Sequence, residues 1–495
     1  MDMKPVMMSI VVLIPFLTGI LIPLLPFKKR GQMMVFLETM MVINSLLVFA
    51  ILTNPPAEQF ALVRFTGDLT LSFKIDGMSK VFGGLVAALW PFATLYSFEY
   101  MKHEEREKTF FLFYTVTYGV TLGIAFAEDM VTMYFFYELL TLVTVPLVMH
   151  TMTREAVLAS RKYLYYSLGG AAFGFIGMVF IIVYGVSPDF VPGGSLDPAM
   201  IGDRINVLLL VYVLAFFGFG VKAAVCPFNS WLPDAGVAPT PVTALLHAVA
   251  VVKAGAFAII RLTYYCFGID FLRGTWAQYV VMTAVIFTIV YGCSRAVKET
   301  HIKRRLAFST ISNLSYILFG VTIMTPLGLV GALCHLVFHA VMKICSFFCA
   351  GAVMYKTGRS YVHQLDGFGR RMPWVFGIFT VSSLGLMGVP GLAGFISKWN
   401  LAQAAVASDN PLAFAGVGAL LISALLTAIY MLTIVIRAFF PAKDFDYDSI
   451  KDVEDPNWYM LLPLCVFAVF IVIFGLCSTP LVDFFRTIAK EMGSL

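Results

Sequence analysis

Eight ionisable residues stand inside apolar runs of this sequence: Glu138, Lys222, His247, Lys253, His335, His339, Lys343 and Lys398. Such residues are costly in hydrocarbon, so they face a protein interior or a wet cavity and commonly serve transport. His335, His339 and Lys343 are spaced i, i+4 and i+8, which puts them on one helix face. Each step rises about 6 Å, so bridging waters along that face would make a proton wire. His247 and Lys253 are six residues apart, on differing but not opposite faces, and need water or helix bending to communicate. The chemistry this set offers is reversible proton holding. Lysine sheds its proton in a low-dielectric site where arginine does not, and imidazole titrates near neutrality. A carboxylate sets whether a nearby lysine stays charged. At ~4 Å and an effective dielectric of ~20 the pair interacts by about 4 kcal/mol. Glu138, if it lies near Lys222, forms such a switch.

Each of these residues also has a plainer reading. Glu138 and Lys222 could be a static ion pair that fixes packing. His335 and His339 could hydrogen-bond between helices, or ligate haem or metal, although two histidines on one helix compete for one ligand position. Lys398 could snorkel from a helix end. Glu38, in the second apolar run, has no obvious partner. His103, His150, His301 and His363 fall in or beside basic loops and read as solvated. The eight cysteines form no C-x-x-C, so neither zinc nor an iron–sulfur cluster is signalled. Cys345 and Cys349, four apart, read as small apolar helix residues. No cofactor or metal is expected.

The elements that must position these residues are membrane spans. Of 495 residues, 60% are hydrophobic and 13% charged, about half the ~25% charged content of soluble domains; mean hydropathy is +0.87. An ordinary soluble enzyme, a disordered chain and a small disulfide scaffold are excluded, as is a β-barrel, whose apolar segments are short and alternating. Fourteen spans are expected near residues 6–27, 33–52, 78–98, 110–127, 129–149, 163–186, 205–225, 240–266, 276–296, 304–324, 327–355, 372–404, 411–440 and 458–478. The first has no cleavage site and reads as retained. Residues 60–75 alternate around a central Gly-Asp and predict a hairpin outside the membrane. Residues 441–457 read as an acidic surface loop, and 480–492 as a short interfacial helix.

The net charge of +5 needs no nucleic-acid partner. Lys and Arg concentrate in the loops after odd-numbered spans, as cytoplasmic loops do, which puts both termini outside. Arg261, near the end of span 8, counts with the outward charges. Span 7 runs into VKAAVCPFNSWLPDAG and span 12 into GVPGLAGFISKWN, so proline and glycine should break both helices. Irregular backbone at that depth survives only within protein or beside a cavity. The breaks lie five spans apart and each brings a lysine, Lys222 or Lys398, the pattern of an inverted repeat around a transport site. The expected organisation is residues 1–109 (spans 1–3 and the hairpin), 110–266 (first repeat), 267–440 (second repeat) and 441–495. Gly170 and Gly174 form a G-x-x-x-G read as packing.

At these residues the sequence resembles the proton-conducting antiporter-like family: the large membrane-arm subunits of respiratory complex I, Mrp-type Na+/H+ antiporter subunits and their counterparts in membrane-bound hydrogenases. The resemblance runs from about residue 76 to 440. It rests on YSFEYM (96–101), FYELL (136–140), VKAAVCPFNSWLPDAGVAPTPVTALLHAVAVVKAG (221–255), IKRRLAFSTISNLSY (302–316), HLVFHAVMK (335–343) and GVPGLAGFISKW (388–399). It implies that Glu138 modulates, Lys222 loads, Lys253 and His247 connect, His335, His339 and Lys343 relay, and Lys398 exchanges with the outer side. His301 departs from the Asp often found before I-K-R, and the chain ends soon after span 14, without the lateral helix of the largest complex I subunit.

The expected protein is therefore an all-α polytopic membrane protein in the plasma membrane. It would move H+, alone or coupled to Na+, as a subunit driven by partner subunits of a respiratory, hydrogenase or antiporter complex. A self-sufficient cation/H+ antiporter and a quinone-binding oxidoreductase subunit are the rival readings.

Overall fold

The computed structural model describes residues 4–56, 58–66 and 69–493. Almost everything is helix: α1 (Lys4–Leu24), α2 (Arg30–Thr53), α3 (Gly77–Tyr100), α4 (Glu107–Phe126), α5 (Met130–Val148), α6 (Arg154–Tyr184) and α7 (Ile205–Gly220) come first. They are followed by α8 (Thr240–Phe267), α9 (Trp276–Lys298), α10 (Ile302–Thr322) and α11 (Pro326–Thr357). The chain closes with α12 (Pro373–Met387), α13 (Ala393–Ala407), α14 (Pro411–Phe439), α15 (Trp458–Leu476) and α16 (Thr479–Lys490). Among the described residues twelve helices are long and apolar enough to cross a membrane. The other two expected spans correspond to α10, which opens on Lys303, Arg304 and Arg305, and to the pair α12–α13, which a break divides.

Local sequence sets the helix ends. Asp76, Asp129, Thr153, Thr325 and Asn410 accept hydrogen bonds from the first-turn amides of α3, α5, α6, α11 and α14, as N-caps do. Pro326, Pro373 and Pro411 start their helices, where proline's missing N–H costs nothing. The apolar windows of α8 and α11 are wholly inside the protein, against 28% of that of α15. So α8 and α11 are the core, and the outer helices turn apolar faces to the surroundings. Gly170 packs against α7, where an added Cβ would sit 2.6 Å from the Gly218 carbonyl, and Gly174 abuts Phe219.

Outside the helices, β1 (Phe60–Thr66) and β2 (Leu69–Phe73) pair antiparallel, Phe60 opposite Phe73. The Gly67-Asp68 turn expected between them lies outside the described residues. The hairpin is fastened to α5: the Ser72 amide donates to Thr132 Oγ1 at 2.9 Å and the Ser72 hydroxyl to Asp129 at 2.8 Å. The acidic 441–457 stretch is tied down: Asp455 accepts from the Trp374 and Val375 amides at the start of α12, and Glu454 pairs with Lys356 at 2.9 Å. α16 lies where a short helix is expected and buries Val482, Phe485, Ile488 and Ala489.

Two expectations are corrected. His150 is buried, 7% exposed, with its ring edge-on to Phe110 at 5.6 Å; the turn after α5 folds back under α4 instead of into solvent. Arg261 is not a loop charge: it is 1% exposed, within α8. Its guanidinium is clamped by Asp76 (Nη2 to Oδ1 2.9 Å) and stacked on Phe190 and Tyr265.

Two predictions follow from these anchors. Burial raises the Asp76 carboxyl, but the Arg261 guanidinium and the Ser79 hydrogen bonds outweigh it and hold the group below the usual carboxylate value. Asp76→Ala strands a buried arginine and uncaps α3, so thermal unfolding should register a loss of about 3–5 kcal/mol; a loss no larger than that of an exposed Asp→Ala change would contradict the clamp. Glu128, between α4 and α5, is pushed up to about 7 by burial and then by Asp189. The folded state thus keeps its proton where the unfolded chain, ionising near ~4.3, has lost it. Stability contributed here falls as pH rises towards about 7 and levels off above. Glu128→Gln should therefore match wild type in acid and melt higher above neutrality; a pH-independent gap would refute the assignment.

Candidate functional site

α7 stops at Gly220 and the chain turns at once. The Val225 amide bonds back to the Gly220 carbonyl at 2.9 Å, and the Trp231 indole N–H donates to the Val221 carbonyl at 2.8 Å, occupying groups the broken helix leaves free. Lys222 sits in this turn, fully buried. Its ammonium donates to the Tyr137 carbonyl, lies 3.4 Å from the Tyr137 ring centroid and is 4.0 Å from Glu138 Oε1. Lysine, carbonyl, ring and carboxylate thus form one electrostatic unit between the α7 break and α5. Glu138 is 23% exposed and lines a cavity of about 310 Å³ between α5, the hairpin and Met178 of α6.

α8 passes directly behind the break. An added Cβ on Gly255 would lie 2.6 Å from the Ala223 amide nitrogen and 2.9 Å from the Lys222 carbonyl carbon. Two residues earlier on the same helix, Lys253 Nζ contacts His339 Nδ1 of α11 at 2.7 Å, and both residues are fully buried. Whichever atom carries the proton, amine and imidazole share it across the helix interface. His339 stacks on His335, with ring centroids 5.5 Å apart, and His335 Nδ1 contacts the Ser397 hydroxyl at 2.9 Å.

Ser397 precedes Lys398 on α13. The second break, Gly388–Leu392 between α12 and α13, turns through Gly388 (φ 91°) and Gly391 (φ 88°), conformations that favour glycine. Lys398 Nζ donates to the Leu386 and Met387 carbonyls at 2.7 and 2.8 Å and faces the Tyr316 ring at 5.4 Å. Those carbonyls end α12, where the helix dipole attracts a cation. Lys398 therefore caps the helix break from inside and does not snorkel outward.

The expected three-residue wire on α11 is only partly realised. Lys343 turns away from His339 and donates to Ser309 Oγ at 2.7 Å and the Leu306 carbonyl at 3.1 Å on α10. The unsatisfied α10 groups outcompete the helix-face geometry. Ser309 continues to Tyr430 of α14 at 2.7 Å. His247 makes no hydrogen bond and packs on Phe347 at 5.0 Å. Between it and Lys253 the helix is interrupted: Leu245–Val249 is a π turn and Ala250 departs from helical geometry (φ −96°, ψ −78°). Such π turns recur at functional sites. Ser309, Tyr316, Ser397 and Tyr137 join the set and were not singled out from sequence, although each lies in or next to a quoted motif. Among the described residues no three His, Cys, Asp or Glu side chains converge as metal ligands.

Fold and site together define a polytopic α-helical membrane protein with ionisable residues in a buried row between interrupted helices. A family profile described as NADH:quinone oxidoreductase/Mrp antiporter, TM, matches residues 127–427. The chain belongs to that family. It is similar to NAD(P)H-quinone oxidoreductase chain 4-2 of Synechocystis sp., 26% identical over 483 residues, covering 93% of this chain and 83% of the relative. NADH-quinone oxidoreductase subunit N of Desulforudis audaxviator is 27% identical over 416 residues, 81% of each chain. Among solved structures, a chain of the archaeal membrane-bound sulfane sulfur reductase superposes with a TM-score of 0.83 at 20% identity, over 98% of this chain and 97% of that one. A chain of the Mrp complex from Dietzia sp. gives 0.85 at 20%, over 99% and 98%. At such identity these structures speak for the fold.

Gly255→Ala tests how the row is positioned. The new methyl meets backbone at the break, so it should cost about 1–3 kcal/mol and slow proton transport by the assembled complex. A variant of wild-type stability and rate would show that α8 does not set the position of Lys222.

Proposed function

We propose that this chain is a proton-translocating, antiporter-like subunit of a multi-subunit membrane complex, moving H+ along its buried Glu/Lys/His row with energy supplied by partner subunits. The observation that carries the reading is the 2.7 Å contact between Lys253 and His339, two fully buried titratable groups on the two central helices. A proton shared there passes to either side with little geometric change. Glu138 modulates the charge on Lys222, Lys253 and His247 connect, His335 and His339 relay, Lys343 branches towards α10, and Lys398 exchanges with the outer side. The exposed edge of Glu138 makes it the member of the row that a neighbouring subunit can reach.

The same reading organises the chain as an N-terminal segment (1–109), two inverted repeats (110–266 and 267–440) and a C-terminal segment (441–495). In support, both breaks seat a lysine amine on backbone carbonyls beside a tyrosine ring. The protein would lie in the plasma membrane with both termini outside, as the loop charges favour. Its partners would be the other membrane subunits of a complex of the kind its relatives' names describe, quinone oxidoreductases and, for a Rhizobium meliloti relative 28% identical over 473 residues, a probable K(+)/H(+) antiporter. That relative keeps cation exchange as the second reading, separable by testing whether Na+ or K+ gradients drive proton movement.

The test is proton transport by the assembled complex in proteoliposomes. Glu138→Gln removes the charge that Lys222 faces and should slow transport by about tenfold, equivalent to about 1.4 kcal/mol of barrier. Lys222→Ala should abolish transport while the complex still assembles. Normal transport in Glu138→Gln would remove its modulating role, and intact transport with failed assembly in Lys222→Ala would favour a structural anchor.

A further inference from the structure

A second polar site lies outside this row, among the first four helices. α2 packs on α1 and α3 and reaches α4 mainly through long side chains. At the basic end Arg30 spans the gap, holding Glu107 of α4 at 3.0 Å and also the Phe98 carbonyl of α3. Two turns further along α2, about 12 Å on, stands Glu38. One of its carboxyl oxygens is buried without a hydrogen-bond partner.

The surroundings of Glu38 are polar but supply no cation. From α4, the Tyr114 hydroxyl faces Glu38 and Ser97 of α3 and makes no direct hydrogen bond. Beyond it, Tyr118 bonds Ser45 of α2 at 2.8 Å, and Asn44 stands beside it fully buried with both amide atoms unused. From α3, the Trp90 N–H is also unused, while its ring stacks on Tyr118 at 4.9 Å and closes on Tyr114 at 5.5 Å. From α1, Thr18 is buried and unpartnered. The charged groups of this segment nearest the basic surface, Arg30 and Glu107, are engaged with each other. Buried polar groups are almost always satisfied, by protein or by water. A set that mixes donors (Trp90), acceptors (Glu38) and groups that are both (Asn44, Tyr114) is satisfied together by shared water. With no counter-cation in reach, the carboxyl is neutralised by a proton.

We propose that Glu38 is a proton-binding site, exchanging its proton with water held between α2, α3 and α4, separate from the row on α5 to α13. Its proton is exchanged towards the basic side, past Arg30 and Glu107, because these lie on the same two helices. The site needs neither the α7 break nor the α12–α13 break.

Infrared difference spectroscopy of the assembled complex in lipid bilayers tests this. At neutral pH a protonated-carboxyl C=O band should be present, should shift on transfer to D2O, and should disappear on raising the pH. Glu38→Gln should lose that band and Glu138→Gln should keep it, so the result does not depend on the transport role of Glu138. Glu38→Asp, which retains a carboxyl if the amide variant fails to assemble, should move the band without abolishing it. A band unaltered in Glu38→Gln and Glu38→Asp, or one that D2O never shifts, overturns the assignment.

Discussion

An amine buried between two helices that touch no solvent must be given something to bond. Lys253 has His339 at 2.7 Å, and the rest of the molecule is arranged so that this contact stays dry of lipid. The helices that carry it, α8 and α11, are wholly enclosed. Twelve long apolar helices exist in part to wrap these two, because a charged or half-charged group at membrane depth is tolerated only inside protein. The enclosure also strengthens every electrostatic interaction along the row, since the effective dielectric is lower than at a surface.

The broken helices solve a related problem. Each interruption releases carbonyls from the helical ladder, and each is answered by a lysine: Lys222 on the Tyr137 carbonyl of the neighbouring α5, Lys398 on the last carbonyls of α12 itself. A lysine held by carbonyl dipoles and a tyrosine face has partners that do not change their own charge. Only one of the two, Lys222, also has a carboxylate, Glu138. The two ends of the row are therefore alike in construction and different in control.

Much of this was legible in the residues. The i, i+4 spacing of His335 and His339 does place the rings together, and the Pro-Gly punctuation does mark both breaks. The hairpin and the terminal amphipathic helix also stand where the pattern puts them. What escaped has physical reasons. The π turn at Leu245–Val249 is built from LLHAV, with no proline or glycine to betray it; it arises from packing, not propensity. Lys343 has a long side chain whose partner, Ser309, is on another helix, so helix-face geometry alone could not aim it. Arg261 and His150 looked like surface charges because charge suggests solvent, and only tertiary contacts, Asp76 for one and Phe110 for the other, reverse that. Ser397 was hidden by its more conspicuous neighbour Lys398.

The tethering of Asp455 has a mechanical meaning. It grips the first amides of α12, a helix of 15 residues and so about 22 Å long, whose far carbonyls hold Lys398. A hydrogen-bonded helix resists compression far better than a loop does. The segment between α14 and α15 and the amine deep in the bilayer are thus the two ends of one stiff rod, and a tug on the outer handle is felt at the inner tip.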